Sequence, residues 1–352
     1  MKKHSYVGMD CGDCFHEICV LNAEGQVTQR KRLANTREAL GAFFSGMAPA
    51  RVALEAGTHS GWISRQLENL GHKVVVAQPR AVRAIWDRDR KNDVSDAELL
   101  ARLLRADPEL LCPVRHRGEA AQIDLLMIKA RDGLVQTRTK LINQVRGLAK
   151  SLGHRLPASD ARTFAGKARA ELPELLQPAL TPLLDLVGEI SERIRAYDRQ
   201  IEQTAKERYP QTEALRQVSG VGALTALAYV LTVDDPKRFQ RSREVGPYLG
   251  LTPRQDQSGK MDKQLRITKS GDRYLRRLLV GSAQYVMGPF GPPCGLRSFG
   301  QRLAARGGKS AKKRAVVAVA RKLAVLLHRL WVSRQTYDPQ RGMKLGEAGV
   351  AA

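Results

Sequence analysis

Asp10, Glu55, Asp93 and Asp96 are the residues around which chemistry can be built. Asp10 closes the apolar run Tyr6-Val-Gly-Met-Asp10, and Glu55 closes Arg51-Val-Ala-Leu-Glu55. Asp93 and Asp96 head the segment carrying Leu99, Leu100, Leu103 and Leu104. Element ends present their side chains to a shared cleft. A spacing of three puts both aspartates on one helix face, beside the positive N-terminal end. Crowded carboxylates repel one another and are hard to keep ionised unless a cation neutralises them. Mg²⁺ takes carboxylate and phosphate oxygens together, and metal ions so held activate a nucleophile and stabilise the leaving oxygen. The expected reaction is hydrolysis or strand transfer at a phosphodiester. Asp in a first helical turn is also an ordinary cap, and Asp87, Asp89 and Glu98 lie close by without such a role. The company of Asp10 and Glu55 separates Asp93 and Asp96 from that background.

The elements that must position these acids follow from the local pattern. Tyr6–Asp10, Phe15–Leu21 and Val27–Leu33 read as strands, with Asn22-Ala-Glu-Gly25 as hairpin chemistry between the second and third. Asn35-Thr36 caps a helix running to about Met47. Arg51–Glu55 is a strand, Trp62–Leu70 a helix stopped by Gly71, and Lys73–Ala77 a strand ended by Pro79. Three strands followed by alternating helices and strands is the order of an α/β RNase H-like mixed sheet with helices on its faces.

The charge agrees with a polyanionic partner. Lys plus Arg number 59 against 35 Asp plus Glu, a net charge of +24 over 352 residues, and neutralising phosphates releases counterions and supplies sequence-independent affinity. No Asp or Glu occurs between Arg273 and Tyr337, while Arg276, Arg277, Lys309, Lys312, Lys313, Arg314, Arg321 and Lys322 all fall there. The five cysteines form no even framework. Cys11 and Cys14 make a CxxC with no second ligand pair, so small residues beside a strand end are the better reading than zinc. No signal peptide or bilayer-spanning apolar run is visible. A cytoplasmic protein with reduced thiols and no membrane partner is expected.

Beyond the acids, Glu119–Leu152 and a run carrying Leu184, Val187, Ile190, Ile194, Tyr197 and Ile201 read as long amphipathic helices. Pro157, Pro173, Pro178 and Pro182 mark the connection, and the two helices suggest an antiparallel coiled pair, within the chain or between chains. Val218-Ser-Gly220-Val-Gly222 has the form of a helix-hairpin-helix turn, whose backbone N–H groups can hold a phosphate; it could equally join two packed helices. Arg254-Gln-Asp-Gln-Ser258-Gly259-Lys260 reads as a polar loop, in which composition alone gives Ser258 no partner His or Asp. Gly308-Lys309-Ser310 ends like a P-loop, but Leu303 stands where the first Gly is needed and no strand precedes it.

These motifs together resemble the DEDD transposases of insertion sequences, a family of bridge-RNA-guided recombinases with a RuvC-like N-terminal domain, a coiled middle and a serine-bearing transposase domain. The resemblance is carried by Tyr6-Val-Gly-Met-Asp10, Leu54-Glu55-Ala-Gly-Thr58, Asn92-Asp93-Val-Ser-Asp96-Ala97, Val218-Ser-Gly-Val-Gly222, Gly250-Leu-Thr-Pro-Arg254, Gln257-Ser258-Gly259 and Ile267-Thr-Lys-Ser-Gly-Asp272-Arg-Tyr-Leu-Arg-Arg277. It implies that Asp10, Glu55, Asp93 and Asp96 bind Mg²⁺ and that Ser258 attacks a DNA phosphate to give a covalent phosphoserine link. It also implies a homo-oligomer, dimer or tetramer, in which one chain's serine domain meets another's acidic domain. A structured non-coding guide RNA then chooses donor and target DNA. The chain departs from many relatives at Cys11-Gly12-Asp13-Cys14, where they carry a small residue and a Lys, and at Asp262, an acid after Ser258-Gly259.

The organisation expected is a RuvC-like catalytic domain over 1–115, a helical coiled-coil region over 116–210, a mainly α serine-bearing domain with the helix-hairpin-helix-like element over 211–340, and a disordered tail over 341–352. Nucleic acid is expected at Gly220, Gly222, Arg254, Lys260, Lys269, Arg273, Arg276, Arg277, Lys309, Lys312, Lys313 and Arg314. Two rival readings stand beside this one. In a RuvC-like junction nuclease, metal-activated water would cut and Ser258 would be a bystander. An architectural nucleic-acid binder would need only the basic surface and the Gly-Val-Gly turn, and leaves the placed acids unexplained.

Overall fold

Short, nearly continuous apolar runs build the central strands of the N-terminal sheet. In the computed structural model, which describes residues 5–85, 92–258 and 261–341, the strands are β1 (Tyr6–Cys11), β2 (Phe15–Leu21), β3 (Val27–Ala34), β4 (Arg51–Glu55) and β5 (Lys73–Ala77). They pair in the order β3-β2-β1-β4-β5. β1, β2 and β3 run antiparallel to their neighbours, whereas β1, β4 and β5 are parallel. Helices α1 (Arg37–Ser45), α2 (Ser60–Asn69), α3 (Pro79–Ile85) and α4 (Asp93–Ala106) complete this region. α1 starts at Thr36, whose hydroxyl accepts from the Ala39 N–H at 3.2 Å.

The two sheet faces are covered by different helices. Val7, Met9, Val52, Leu54 and Val76 point to a core closed by Leu40 and Phe44 of α1 and Ile63 and Leu67 of α2. Their strand neighbours Ala53, Val75 and Ala77 meet Leu99, Leu100, Leu103 and Leu104 of α4, and Cys19 and Leu21 meet Ala97 and Ala101. The helix over Pro79–Ile85 is not expected from the sequence, where Pro79 reads only as a stop. Proline is tolerated in the first helical turn because the N–H it lacks has no intrahelical acceptor there.

The chain divides into two compact units, Met1–His116 and Arg117–Ala352. The second is mostly helical, with α5 (Glu119–Ser151), α6 (Phe164–Ala170), α7 (Gln177–Arg208), α8 (Thr212–Arg216), α9 (Ala223–Val233), α10 (Val245–Tyr248), α11 (Arg273–Met287), α12 (Gly295–Ala305) and α13 (Ala311–Ser333). α5 and α7 form an antiparallel pair within the chain: Arg208 meets Asp124 at 2.6 Å, Arg131 meets Asp198 at 2.6 Å, and Arg138 reaches Ser191 at 3.2 Å. α7 begins well before Leu184, with Pro178 in its first turn and Pro182 inside it. Ile142, Val145, Phe164, Leu180 and Leu184 close the far end of the pair. At the near end Leu125, Ile128 and Ile201 share one core with α9, α11 and α13.

The stretch expected as a polar loop is instead a β-hairpin, β6 (Pro253–Ser258) and β7 (Met261–Ile267). β6 is polar throughout and carries none of the apolar alternation by which a half-buried strand is recognised. Ser258 is the last residue of β6, opposite Met261. Asp87, Asp89, Gly259, Lys260 and the tail beyond 341 lie outside the described residues. No described helix is long and apolar enough to cross a membrane.

Candidate active site

β1 and α4 touch at Gly8, and that contact sets the site. A Cβ on Gly8 would stand 1.9 Å from the carbonyl oxygen of Ala97 and 2.4 Å from the backbone nitrogen of Ala101. Only a residue without a side chain lets the helix backbone lie this close to the strand. Asp10, two residues along β1, shares the face of Gly8, and Asp96 immediately precedes Ala97. α4 begins at Asp93 because the Asn92 side chain accepts from the Val94 N–H at 3.1 Å. Carboxylate oxygens of Asp10, Asp93 and Asp96 accordingly lie within 4.8 Å of one another, with Asp93 exposed and the other two half-buried.

Glu55 ends β4, the parallel neighbour of β1, one residue past the Met9–Leu54 pair. It shares the α4-facing side of its strand with Ala53, but it is not part of the group of three aspartates within 4.8 Å. The field at this edge is registered by Cys11, whose thiol is pushed up to about 12, first by burial and then by the negative charges of Asp10 and Glu55. Glu17, directly across from Asp10 in the β1–β2 register, pairs with Arg32 at 3.1 Å. Glu98, one turn into α4, is held by Arg30 and Arg102, both at 2.6 Å. Arginines therefore neutralise these neighbouring acids.

The donor set suits a divalent cation. Mg²⁺ takes oxygen ligands at about 2.0–2.1 Å in an octahedron, so opposed ligands are about 4 Å apart. The carboxylate oxygens of the three aspartates, within 4.8 Å of one another, are close to that spacing. Gly8 and Glu17 have no role in the sequence reading, and Cys11 is read there only as a small residue beside a strand end. A glycine inside an apolar strand was the available signal for Gly8, because it marks close backbone approach.

The residues expected to meet nucleic acid divide by environment. Gly220 packs on α11, its Cβ position 2.9 Å from the Tyr285 ring, whereas Gly222 is exposed with nothing within 4 Å of its Cβ position. Arg254 and Lys269 line an open hollow with Leu265, Arg266 and Ile267. Arg273 is exposed at the start of α11, as are Lys309, Lys312, Lys313 and Arg314 around the start of α13. Arg276 instead donates to the carbonyls of Leu249 at 2.9 Å and Ser270 at 2.7 Å. Arg277 pairs with Asp132 and lies over the Tyr274 ring at 4.9 Å. The element directly before Gly308-Lys309-Ser310 is the helix α12, not the strand that a P-loop follows.

Residues 7–153, which include Asp10, Glu55, Asp93 and Asp96, match the family model of the DEDD IS110 type described as "Transposase". Residues 212–294, which include Ser258, match that of the "Transposase IS116/IS110/IS902 family". The chain is 30% identical over 292 residues to the transposase for insertion sequence element IS1328 of Yersinia enterocolitica, covering 82% of this chain and 85% of that one. The chain belongs to the IS110 family of insertion-sequence transposases. A second relative, the transposase for IS1111A of Coxiella burnetii, is 28% identical over 353 residues, covering 96% of this chain and 92% of that one. Transposases cut and join DNA, so this transposase acts on DNA.

Proposed function

We propose that this transposase cuts and rejoins DNA with Ser258 as nucleophile and with Mg²⁺ held by Asp10, Asp93 and Asp96, Glu55 completing the acidic edge of an RNase H-like unit. The reading rests on one observation, the convergence of the three aspartates from β1 and the first turn of α4. Bound Mg²⁺ would supply charge neutralisation at the phosphate and stabilisation of the departing oxygen. The Ser258 hydroxyl attacks a DNA phosphorus; as its oxygen–phosphorus bond forms, the bond to one strand's sugar oxygen breaks, and that strand leaves as a free hydroxyl. An incoming strand hydroxyl then attacks the phosphoserine, restores the Ser258 hydroxyl and reseals the backbone. The exposed Gly222 turn, Arg254, Lys269, Arg273 and the basic start of α13 hold the phosphates of donor and target.

The motif resemblance further supports a homo-oligomer, dimer or tetramer, and a structured bridge RNA that selects the DNA sites. The deciding experiment is denaturing capture of the protein on end-labelled insertion-end DNA with Mg²⁺. A covalent adduct that disappears in Ser258→Ala supports the serine step. Free cut ends without an adduct, equally abundant in Ser258→Ala, would establish water as the nucleophile. Sequencing of co-purified RNA is expected to return one discrete folded species, and its absence would remove the guide from the account.

A further inference from the structure

Phe290 is 83% exposed, and among the described residues it has neither a ring partner nor a cation over its face. The other exposed phenylalanine, Phe15, is capped by Arg32 at 4.8 Å, and Phe44 and Phe164 are fully buried. Lone apolar side chains on a surface are common; the build of the loop sets this one apart. It lies in Gly288-Pro-Phe290-Gly-Pro-Pro293, between α11 and α12, where three prolines restrict the backbone. Arg297 of α12 fastens it from below, donating to the carbonyls of Gly288 at 2.7 Å, Val286 at 3.2 Å and Gly291. Gly291 is tucked so tightly against α11 that a Cβ there would meet the Val286 oxygen at 2.3 Å. A stiff loop thus holds an aromatic ring out into solvent.

The surroundings indicate what the ring meets. Tyr285, 46% exposed, lies in the last turn of α11, the helix end from which the Phe290 loop leaves. Its ring is also the surface on which the Gly220 turn packs, 2.9 Å from the Gly220 Cβ position. The open N-terminus of α9 at Gly222, the Tyr285 ring and the Phe290 loop therefore share one end of α11. The sequence from Arg273 to Tyr337, which carries the loop, contains no acid, and such a surface suits a polyanion better than an apolar protein partner.

We propose that Phe290 is a wedge that inserts between base pairs of the DNA duplex whose phosphate sits on the Gly220–Gly222 turn. The inference builds on the DNA contact proposed above for that turn. Apolar side chains on rigid supports unstack base steps and kink the duplex, and the kink lets the DNA follow more of the protein surface. For a transposase, a strained step yields a backbone more open to attack.

Unwinding of closed plasmid DNA provides the test, because insertion changes linking number whatever the sequence. Full-length protein is bound to relaxed plasmid, topoisomerase I is added, and linking number is compared at equal occupancy measured by gel shift. The native protein is expected to shift the topoisomer distribution, Phe290→Ala to lose most of the shift, and Phe290→Trp to keep it. Equal shifts for the native protein and Phe290→Ala would overturn the wedge. So would loss of the oligomer in Phe290→Ala, seen by sedimentation, since the ring would then be a subunit contact, or weakened binding to the co-purified RNA with unwinding intact. If the native protein binds plasmid without unwinding it, the wedge alone fails. If it does not bind plasmid, the DNA contact at the turn fails with it.

Discussion

Gly8 and Ala97 are in backbone contact across β1 and α4, with room for no side chain between them. The contact fixes the distance from Asp10 to Asp93 and Asp96, since each acid lies within a few residues of it. Gly8→Ala must push α4 off the strand, because the obstructing atoms are backbone. We expect a stability loss at or above the roughly 1–3 kcal/mol of ordinary overpacking. The rise in melting temperature on adding Mn²⁺ or Mg²⁺ should shrink with it. A variant melting like the native protein, with its metal response intact, would show that the contact does not hold the acids together.

Asp10→Asn and Asp96→Asn should behave differently. Removing one charge from three clustered carboxylates relieves repulsion. In EDTA these variants are expected to melt at or above the native temperature, while the stabilisation by added metal, which grows as the logarithm of metal over its dissociation constant, falls away with DNA cleavage. Metal-dependent stabilisation undiminished in both variants would place the ion elsewhere.

Much of this arrangement is legible in the sequence. β1, β4 and β5 end where the apolar runs end, at or next to Asp10, Glu55 and Ala77, because a strand with one residue in each core must read as nearly continuous apolar sequence. The start of α4 is legible from Asp93 and Asp96 ahead of the leucine run, whereas Asn92 is recognised as its cap only from the hydrogen bond it accepts from the Val94 N–H. The β6–β7 hairpin is illegible for the opposite reason: β6 is polar throughout and gives no hydrophobic period to read. Arg276 and Arg277 show a further limit. Composition counts both as phosphate-binding charge, but only three-dimensional packing reveals that backbone carbonyls and Asp132 occupy them.

The Glu98 pair gives the N-terminal unit a pH dependence of defined sign. Hydrogen bonds from Arg102, then Arg30, hold the Glu98 carboxyl below the usual glutamate range. A carboxyl whose pKa is lower folded than unfolded contributes stability that is fully present above its unfolded value and is lost as pH falls through the folded one. Stability of the native protein should therefore drop more steeply than that of Glu98→Gln as pH falls below about 4.3, the unperturbed glutamate value. Chemical denaturation at pH 7 and at pH 3.5 measures it. Parallel acid limbs for the two proteins would show that the arginines contribute nothing there.

Salt dependence separates the cations that face solvent from those already engaged. Lys312 and Lys313 are exposed beside the start of α13, where the helix dipole disfavours positive charge, so their placement there costs stability unless an anion neutralises them. Removing one cation that neutralises a phosphate should lower the magnitude of the slope of log K against log salt by about 0.9, and Lys312→Gln with Lys313→Gln should lower it by about 2 in total. Arg277→Gln should leave the slope unchanged, because its guanidinium is committed to Asp132, and should register instead as a lower melting temperature. Fluorescence anisotropy of labelled duplex over a salt series reads both. A slope that falls in Arg277→Gln and holds in the lysine pair would invert the assignment and move the DNA path from α13 to the exposed face of α11.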